Sequence, residues 1–449
     1  MPAATPLIAR LLFAIAVLFA VSAGAQRDSA RSPEWDVTVA RGQTRDIDFT
    51  TSEGTWMAAD LSPDGQWLVF DLLGHIYRVP VAGGDAQSLT QNSGVAINYQ
   101  PRWSPDGRLI AFVSDRRGQN NLWIMNADGS NPRSVFTNRD VRVYEPAWTP
   151  DGQYILVRRE FTGRTAPGQT GGNGIWMYHK DGGEGTELVG NQARRAEWPT
   201  VSPDGRFFYF HAAAGGNNTD VISGGLQLRR FEFKTGAIVD ITAGEAGGAA
   251  AGRISSGGAA APEISPDGRW LAFARPIPDG TISYKGHKFG PRTALWLRNV
   301  ASGAERVLMD PIETMIESGS KALGVLPQYK WSADGRSIVL SQGGRLRRVD
   351  VATGAVTTIP FTARVRRTIS EMAYRPFRIK DDSLDVKFVR WATASPDGKR
   401  LAFQAVGRVW VMDLPNGTPR RVTPAAAEAL EYAPAWSRDG RSLVFTTWD

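Results

Sequence analysis

One pattern of apolar and polar positions organises this chain. A short apolar or aromatic stretch leads into Ser/Thr-Pro-Asp-Gly or a close variant, and a nearly continuous apolar run follows. WSPDGRLIAF, Trp103 to Phe112, is the clearest copy. The pattern returns as SPDGQWLVF from Ser62, TPDGQYILV from Thr149, SPDGRFFYF from Ser202 and SPDGRWLAF from Ser265. It returns again as SADGRSIVL from Ser332, SPDGKRLAF from Ser395 and SRDGRSLVF from Ser437. Proline presets φ for the second position of a type I turn, aspartate suits the third, and glycine supplies a left-handed residue that closes a hairpin as a G1 bulge. The flanks therefore read as strands. An apolar run such as Leu109 to Val113, continuous rather than alternating, predicts a sheet covered on both faces.

A second strand follows each hairpin strand: Asn121 to Met125 in the clearest copy, with His75 to Val79, Gly174 to Tyr178, Ala294 to Leu297 and Arg408 to Met412 as its counterparts. Ala127-Asp128-Gly129-Ser130 turns the chain again, and Arg133 to Thr137 completes four strands. Four-stranded units stacked face to face about an axis make a β-propeller. The turns recur at intervals from 42 residues (Ser62 to Ser104) to 67 (Ser265 to Ser332). The excess over a minimal blade sits in Gly-, Ala- and Pro-rich inserts at 162–173, 215–225, 243–261 and 276–292. The fold class predicted is all-β, a propeller of four-stranded blades with seven complete repeats and a partial eighth.

The ends add two expectations. Arg10, the apolar run Leu11 to Val21 and Ala23-Gly24-Ala25 form a charged start, a short hydrophobic stretch and a small-residue cleavage site, so residues 1–25 read as a signal peptide. The run is too short to span a bilayer, and no membrane span is expected after cleavage. Residues 26–55 read as a lead-in whose Thr44 to Thr50 is a candidate closing strand. The propeller is expected over 56–449, cut short in its last blade, because the strand Ser442 to Phe445 has no two strands after it. That predicts further residues beyond Asp449 in a longer protein.

The repeats resemble the TolB-like, WD40-like (PD40) propeller repeats of exported bacterial proteins. Arg45 to Met57 (RDIDFTTSEGTWM), Val69 to Tyr77 (VFDLLGHIY) and Glu371 to Phe377 (EMAYRPF) resemble the N-terminal propeller of secreted metal-dependent amidohydrolases. That resemblance implies a C-terminal hydrolase domain which would carry a divalent metal. It implies for this chain a non-catalytic module that covers or gates that domain, in the periplasm or outside the cell. Two alternatives stay open: a stand-alone periplasmic binding or scaffold protein of TolB type, and the propeller of a prolyl-oligopeptidase-type serine peptidase. The expected partner is accordingly the catalytic domain or a periplasmic protein or peptide.

Composition narrows the chemistry. There is no cysteine, which excludes disulfides, thiolate metal sites and Cys nucleophiles. The net charge is +7, but the basic residues fall in scattered pairs such as Arg158-Arg159 and Arg366-Arg367, with no basic helix, so no nucleic-acid partner is expected. His75, His179, His211 and His287 lie on different repeats, none at HxH spacing, and no GxSxG elbow is present. No cofactor and no catalytic residue are expected in this chain. The turn aspartates read as turn stabilisers. The segments entering each hairpin pair aromatics with carboxylates and would rim the channel mouth. Candidate binding residues there are Tyr99, Tyr144, Glu145, Glu197, Trp198, Tyr329, Glu431 and Tyr432, against the alternative that they bond neighbouring blades together.

Overall fold

A computed structural model describes residues 36–448 apart from 162–173, 191–192, 194–195, 214–225, 243–257, 278–281, 285–286, 290–291, 313–327 and 372–383. The signal segment, most of the EMAYRPF stretch and most of the long inserts therefore lie outside the described residues. Among the described residues there is no helix, and so none long and apolar enough to cross a membrane.

All eight repeat turns form as their sequence dictates. Their glycines, Gly65, Gly107, Gly152, Gly205, Gly268, Gly335, Gly398 and Gly440, have φ between 66° and 71°. In the Ser104 turn, Gly107 N–H donates to Ser104 O at 2.9 Å. Ser104 Oγ donates to Asp106 Oδ1 at 2.6 Å and accepts Leu109 N–H at 2.9 Å. Asp106 Oδ1 also accepts Arg108 N–H at 3.1 Å. The aspartate thus belongs to the turn itself. In the Ser265 turn the hydroxyl of Ser265 and the N–H of Arg269 hold the Asp267 carboxyl below its ordinary range.

The described residues fall into two compact units, Met1–Glu371 and Met372–Asp449. Among the described residues the first contains six sheets of four strands or more, numbered here in chain order, and a two-stranded sheet, Ile282–Tyr284 with His287–Phe289. Sheet 1 runs from the inner strand Ala59–Leu61 through Trp67–Leu72 and His75–Pro80 to Gly84–Ser88. Sheets 2 to 6 start with the inner strands Asn98–Trp103, Val141–Trp148, Glu197–Val201, Ala260–Ile264 and Lys330–Trp331, each followed outward by three antiparallel strands.

Six apolar clusters fill the six gaps between these sheets, and they explain the continuous apolar runs. Ile110 and Phe112 pack toward sheet 1 against Val69 and Ile76. Ala111, between them, faces sheet 3 and packs with Val143, Ile155 and Tyr178. Phe208 and Phe210 join Leu156 and Ile175, while Tyr209 joins Leu271 and Phe273. Trp331, Ile338 and Leu340 meet Leu295 and Leu297 of sheet 5. The sixth cluster joins Val339 and Leu346 of sheet 6 to Leu68 and Phe70 of sheet 1, so the ring of the first unit closes after six sheets.

The closing device differs from the expected one. The strand Phe361–Ser370 leaves sheet 6 and adds in parallel to Gly84–Ser88, the outer edge of sheet 1. Its alternation decides its placement: Phe361, Ala363 and Val365 are buried, while Thr362, Arg364 and Arg366 face outward. Phe361 sits 4.9 Å from the Phe70 ring, and Tyr77 Oη donates to Arg364 O at 3.1 Å. The lead-in strand does form, as Thr44–Thr51. It pairs antiparallel with Phe361–Ser370, not with the last repeat.

The second unit holds the four-stranded sheet Arg390–Ala394, Arg400–Ala405, Arg408–Asp413 and Arg420–Arg421. A two-stranded sheet, Leu430–Trp436 with Leu443–Trp448, follows it. Together the units carry the seven four-stranded repeats and the partial eighth that the pattern predicts.

Candidate functional site at the axis and mouth of the ring

The inner strands share a local irregularity that builds the axis. Each of four carries a β-bulge at the same place, with register shifts between Tyr99 and Arg102, Tyr144 and Ala147, Glu197 and Thr200, and Ala260 and Glu263. One residue in each bulge is left-handed: Gln100 (φ 54°), Glu145 (59°), Trp198 (59°) and Ala261 (50°). Proline follows every one of them, Pro101, Pro146, Pro199 and Pro262. A left-handed residue other than glycine costs about 1–2 kcal/mol, so something must hold it.

What holds it is the preceding sheet. Gln100 N–H donates to Asp71 Oδ2 at 2.7 Å, and Asp71 Oδ1 accepts Ala58 N–H at 2.9 Å. Glu145 N–H donates to Gln100 Oε1 at 2.8 Å. Trp198 N–H donates to Glu145 Oε2 at 2.7 Å. Ala261 N–H donates to His211 Nδ1 at 3.1 Å, which assigns the proton of that imidazole to Nε2. The left-handed turn aims each N–H out of its own ladder and into the neighbour; the side chain of one bulge secures the next at Gln100 to Glu145 and Glu145 to Trp198, and the second-strand residues Asp71 and His211 do so at the other two. Indoles repeat the device: Trp148 Nε1 donates to Arg102 O at 3.1 Å, and Trp331 Nε1 to Glu263 O at 3.0 Å.

Buried charge is balanced between adjacent sheets. Arg158, with 3% of its side chain exposed, lies 3.2 Å from Glu145 and 3.3 Å from Glu197, with its guanidinium 4.4 Å from the centre of the Tyr144 ring. His211 Nε2 approaches Glu197 at 3.6 Å. Burial pushes the Glu145 carboxyl upward, against the pull of Arg158. Nearer the axis, Lys330 pairs with Glu263 at 2.5 Å, and Arg102 lies 4.0 Å from Asp60. Burial likewise raises Asp60, with Lys330 and Arg102 opposing it.

The candidate binding residues separate accordingly. Glu145, Glu197 and Trp198 come together in the sheet 3–4 clasp. Tyr144 is fully buried beside them, its hydroxyl accepting Asn120 Nδ2 at 3.3 Å. Tyr329 is buried, with its hydroxyl donating to Ala261 O, and burial raises that phenol well above its ordinary range. Glu431 and Tyr432 lie in the second unit. There Glu431 is buried and accepts Val409 N–H at 2.7 Å. Burial works to raise its carboxyl, but bonds from Thr423 and Val409 and the charge of Arg421 hold it below the ordinary range. Tyr432 packs edge-on against Trp391, ring centres 6.0 Å apart. Among the described residues no three His, Asp or Glu side chains are grouped to hold a metal ion.

Tyr99 lines a cavity. That cavity of about 220 Å3 opens at the rim between sheets 1 and 2, lined by Trp56, Leu73, Ile97, Tyr99, Asp71 and Gln100 among others. Burial raises the Tyr99 phenol well above its ordinary range and the Asp71 carboxyl to about 6. Sequence reasoning missed Asp71, Gln100, His211 and Arg158. The signal that would have found Gln100 is the recurring x-Pro whose first residue stands four ahead of the hairpin serine or threonine, here filled by a polar side chain.

Comparison with known proteins agrees with this architecture. Residues 33–230 match the family described as PD40, TolB beta propeller domain. The uncharacterized peptidase YuxL of Bacillus subtilis is 29% identical over 167 residues, which cover 30% of this chain and 24% of that protein. The Tol-Pal system protein TolB of Wolinella succinogenes is 33% identical over 93 residues, 20% of this chain and 21% of that protein. The matches thus span a quarter or less of either relative. The crystal structure of TolB from Acinetobacter baumannii superposes with a TM-score of 0.47 at 16% identity, covering 69% of this chain and 66% of that one. Residues 33–230, less than half of the chain, thus resemble the TolB β-propeller domain.

Proposed function

We propose that this propeller is a non-catalytic module of an exported bacterial protein, and that it covers or gates a hydrolase domain contributed from outside these residues. The observation that carries the reading is the use made of the axial polar groups. Glu145, Glu197, Asp60 and Glu263 each hold a backbone N–H, a cation or both, so they brace the ring and do not stand ready for proton transfer. A braced ring suits a rigid cover. The partial match to a peptidase, over 24% of its length, supports a propeller acting beside a catalytic domain. The sequence resemblance to amidohydrolase propellers makes a metal-dependent amide hydrolase our first choice for that domain, and the match to a peptidase favours a serine peptidase as the second. The N-terminal charged, apolar and small-residue pattern supports export.

The test is the reading frame downstream of codon 449, followed by an assay of the protein it encodes. An HxH motif with further His and Asp, and amide hydrolysis lost on chelation, supports the first form. A GxSxG elbow with hydrolysis blocked by a serine-directed reagent supports the second. A stop codon within one blade length, with no hydrolase co-purifying, overturns the reading in favour of a stand-alone binding protein.

A further inference from the structure

The cavity between sheets 1 and 2 has features that ring closure does not explain. Trp56, Leu73 and Ile97 are 54%, 55% and 51% exposed around its mouth. Two of them are also held in left-handed conformations, Trp56 at φ 52° and Leu73 at φ 49°. Leu73-Gly74 is the two-residue turn between the strands Trp67–Leu72 and His75–Pro80, a place where asparagine or glycine is favoured. The equivalent turn of sheet 6 uses Gly343-Gly344, at φ 59° and 69°. The equivalent turn of the second unit, Val406-Gly407, also holds a bulky residue left-handed, at φ 50°, so the strain belongs to the turn and Leu73 is set apart by its place on the cavity rim.

The polar lining is equally specific. Gln100 is 1% exposed; its Oε1 accepts Glu145 N–H, while its Nε2 is buried with no hydrogen-bond partner. That amide group lacks an acceptor. Each oxygen of Asp71 accepts one backbone N–H, from Ala58 and Gln100, which leaves acceptor capacity on both. Asp71 is the one acidic or basic side chain lining the cavity. The nearby guanidiniums are engaged elsewhere: Arg102 points to Ala59 O and Asp60, and Arg367 donates to Leu73 O, Val95 O and Ala96 O. Asp115 adds negative charge where it caps Ile97 N–H at 2.8 Å. A single carboxylate is too few for a metal ion and repels an anion. It suits an organic ammonium group.

We propose that this cavity binds the free amino terminus of a peptide whose first side chain is apolar. The ammonium group meets Asp71, and the first side chain lies among Trp56, Leu73 and Ile97. A volume of about 220 Å3 fits one residue rather than a whole ligand. The cavity's chemistry is independent of any hydrolase domain, so this site stands or falls separately from the covering role.

The test is isothermal titration of the full chain at neutral pH with leucinamide, N-acetyl-leucinamide and glycinamide. Leucinamide binds; acetylation, which removes the charge, weakens binding at least about tenfold, and so does loss of the isobutyl group. Leu73→Asn weakens leucinamide binding by a similar factor while melting no lower than the native chain, because asparagine relieves the left-handed turn. Trp56→Ala weakens it too and provides a second rim variant if the first melts early. Equal affinity for the acetylated probe, native affinity in both rim variants, or no leucinamide binding at millimolar concentration overturns the proposal.

Discussion

Replacing Glu145 with alanine removes two interactions at once, and the structure gives the size of each. The first is the bond from Trp198 N–H, 2.7 Å long and buried. A buried donor left without an acceptor costs about 1–3 kcal/mol. The second is one of the two carboxylates facing Arg158. Breaking a buried ion pair costs about 3–5 kcal/mol when the remaining charge is stranded. Here Glu197 stays at 3.3 Å and the Tyr144 ring at 4.4 Å, so the loss falls at the lower end. Glu145→Ala should therefore destabilise the first unit by about 4–6 kcal/mol. Glu145→Gln keeps an oxygen for Trp198 and loses only the charge, so about half that loss is expected. Guanidinium titration followed by tryptophan fluorescence reads both, through a shifted midpoint at constant slope. Hydrogen exchange at the Trp198 amide should quicken in the alanine variant and much less in the glutamine one. A loss below about 1 kcal/mol in Glu145→Ala would refute the claim that these bulges brace the ring.

Two further outcomes follow from the same geometry. Burial raises the folded Asp71 carboxyl from 3.8 to about 6, so its contribution to stability is complete at acid pH below the unfolded value and is lost as pH rises through 6. Asp71→Asn should flatten the stability profile across that window by at most about 3 kcal/mol, since the side chain is only partly buried; an unaltered profile counts against the assignment. Phe361→Ala empties a buried ring site on the strand that links sheet 6 to sheet 1. It should cost about 3–5 kcal/mol and release the Thr44–Thr51 strand to early proteolysis; a variant as resistant as the native chain would show that this strand does not close the ring.

The parts of the fold legible in the sequence are those written in local chemistry. Ser-Pro-Asp-Gly specifies its own turn, so every copy formed. The runs after it alternate between two neighbouring sheets, as Val69 and Phe70 do, and so their continuous apolarity correctly implied two covered faces. The grouping of repeats was not legible, because it depends on where Phe361–Ser370 docks. Its alternating pattern shows that one face is buried but does not name the sheet. The candidate site was half legible. Carboxylates beside aromatics do fall in the inner strands, but their partners lie on a neighbouring sheet, about one repeat away. Glu145 reaches Trp198 and Gln100 reaches Glu145, and no local motif records such a pairing.

The clasp and the cavity come from the same left-handed residues, which is why one ring can be rigid at its axis and receptive at its rim. At Glu145 the side chain is wholly engaged, by Trp198 N–H on one oxygen and Arg158 beside the other. At Gln100 an amide replaces the carboxylate, and only its oxygen is needed to catch Glu145 N–H. The remaining N–H pair has no structural task. The first sheet differs again: Ala58, at the corresponding position, has no reach, and Asp71 from the adjacent strand bridges Ala58 and Gln100 together. The gap between sheets 1 and 2 is thus closed by a residue one strand farther from the axis, and the space left in front of it is the cavity. A Gln100→Glu substitution tests the clasp at its neutral position. The carboxylate still accepts Glu145 N–H, but it is buried beside Asp71 with no cation of its own, so the ring should lose about 3–5 kcal/mol at neutral pH and regain part of it in acid, where the new carboxyl is protonated.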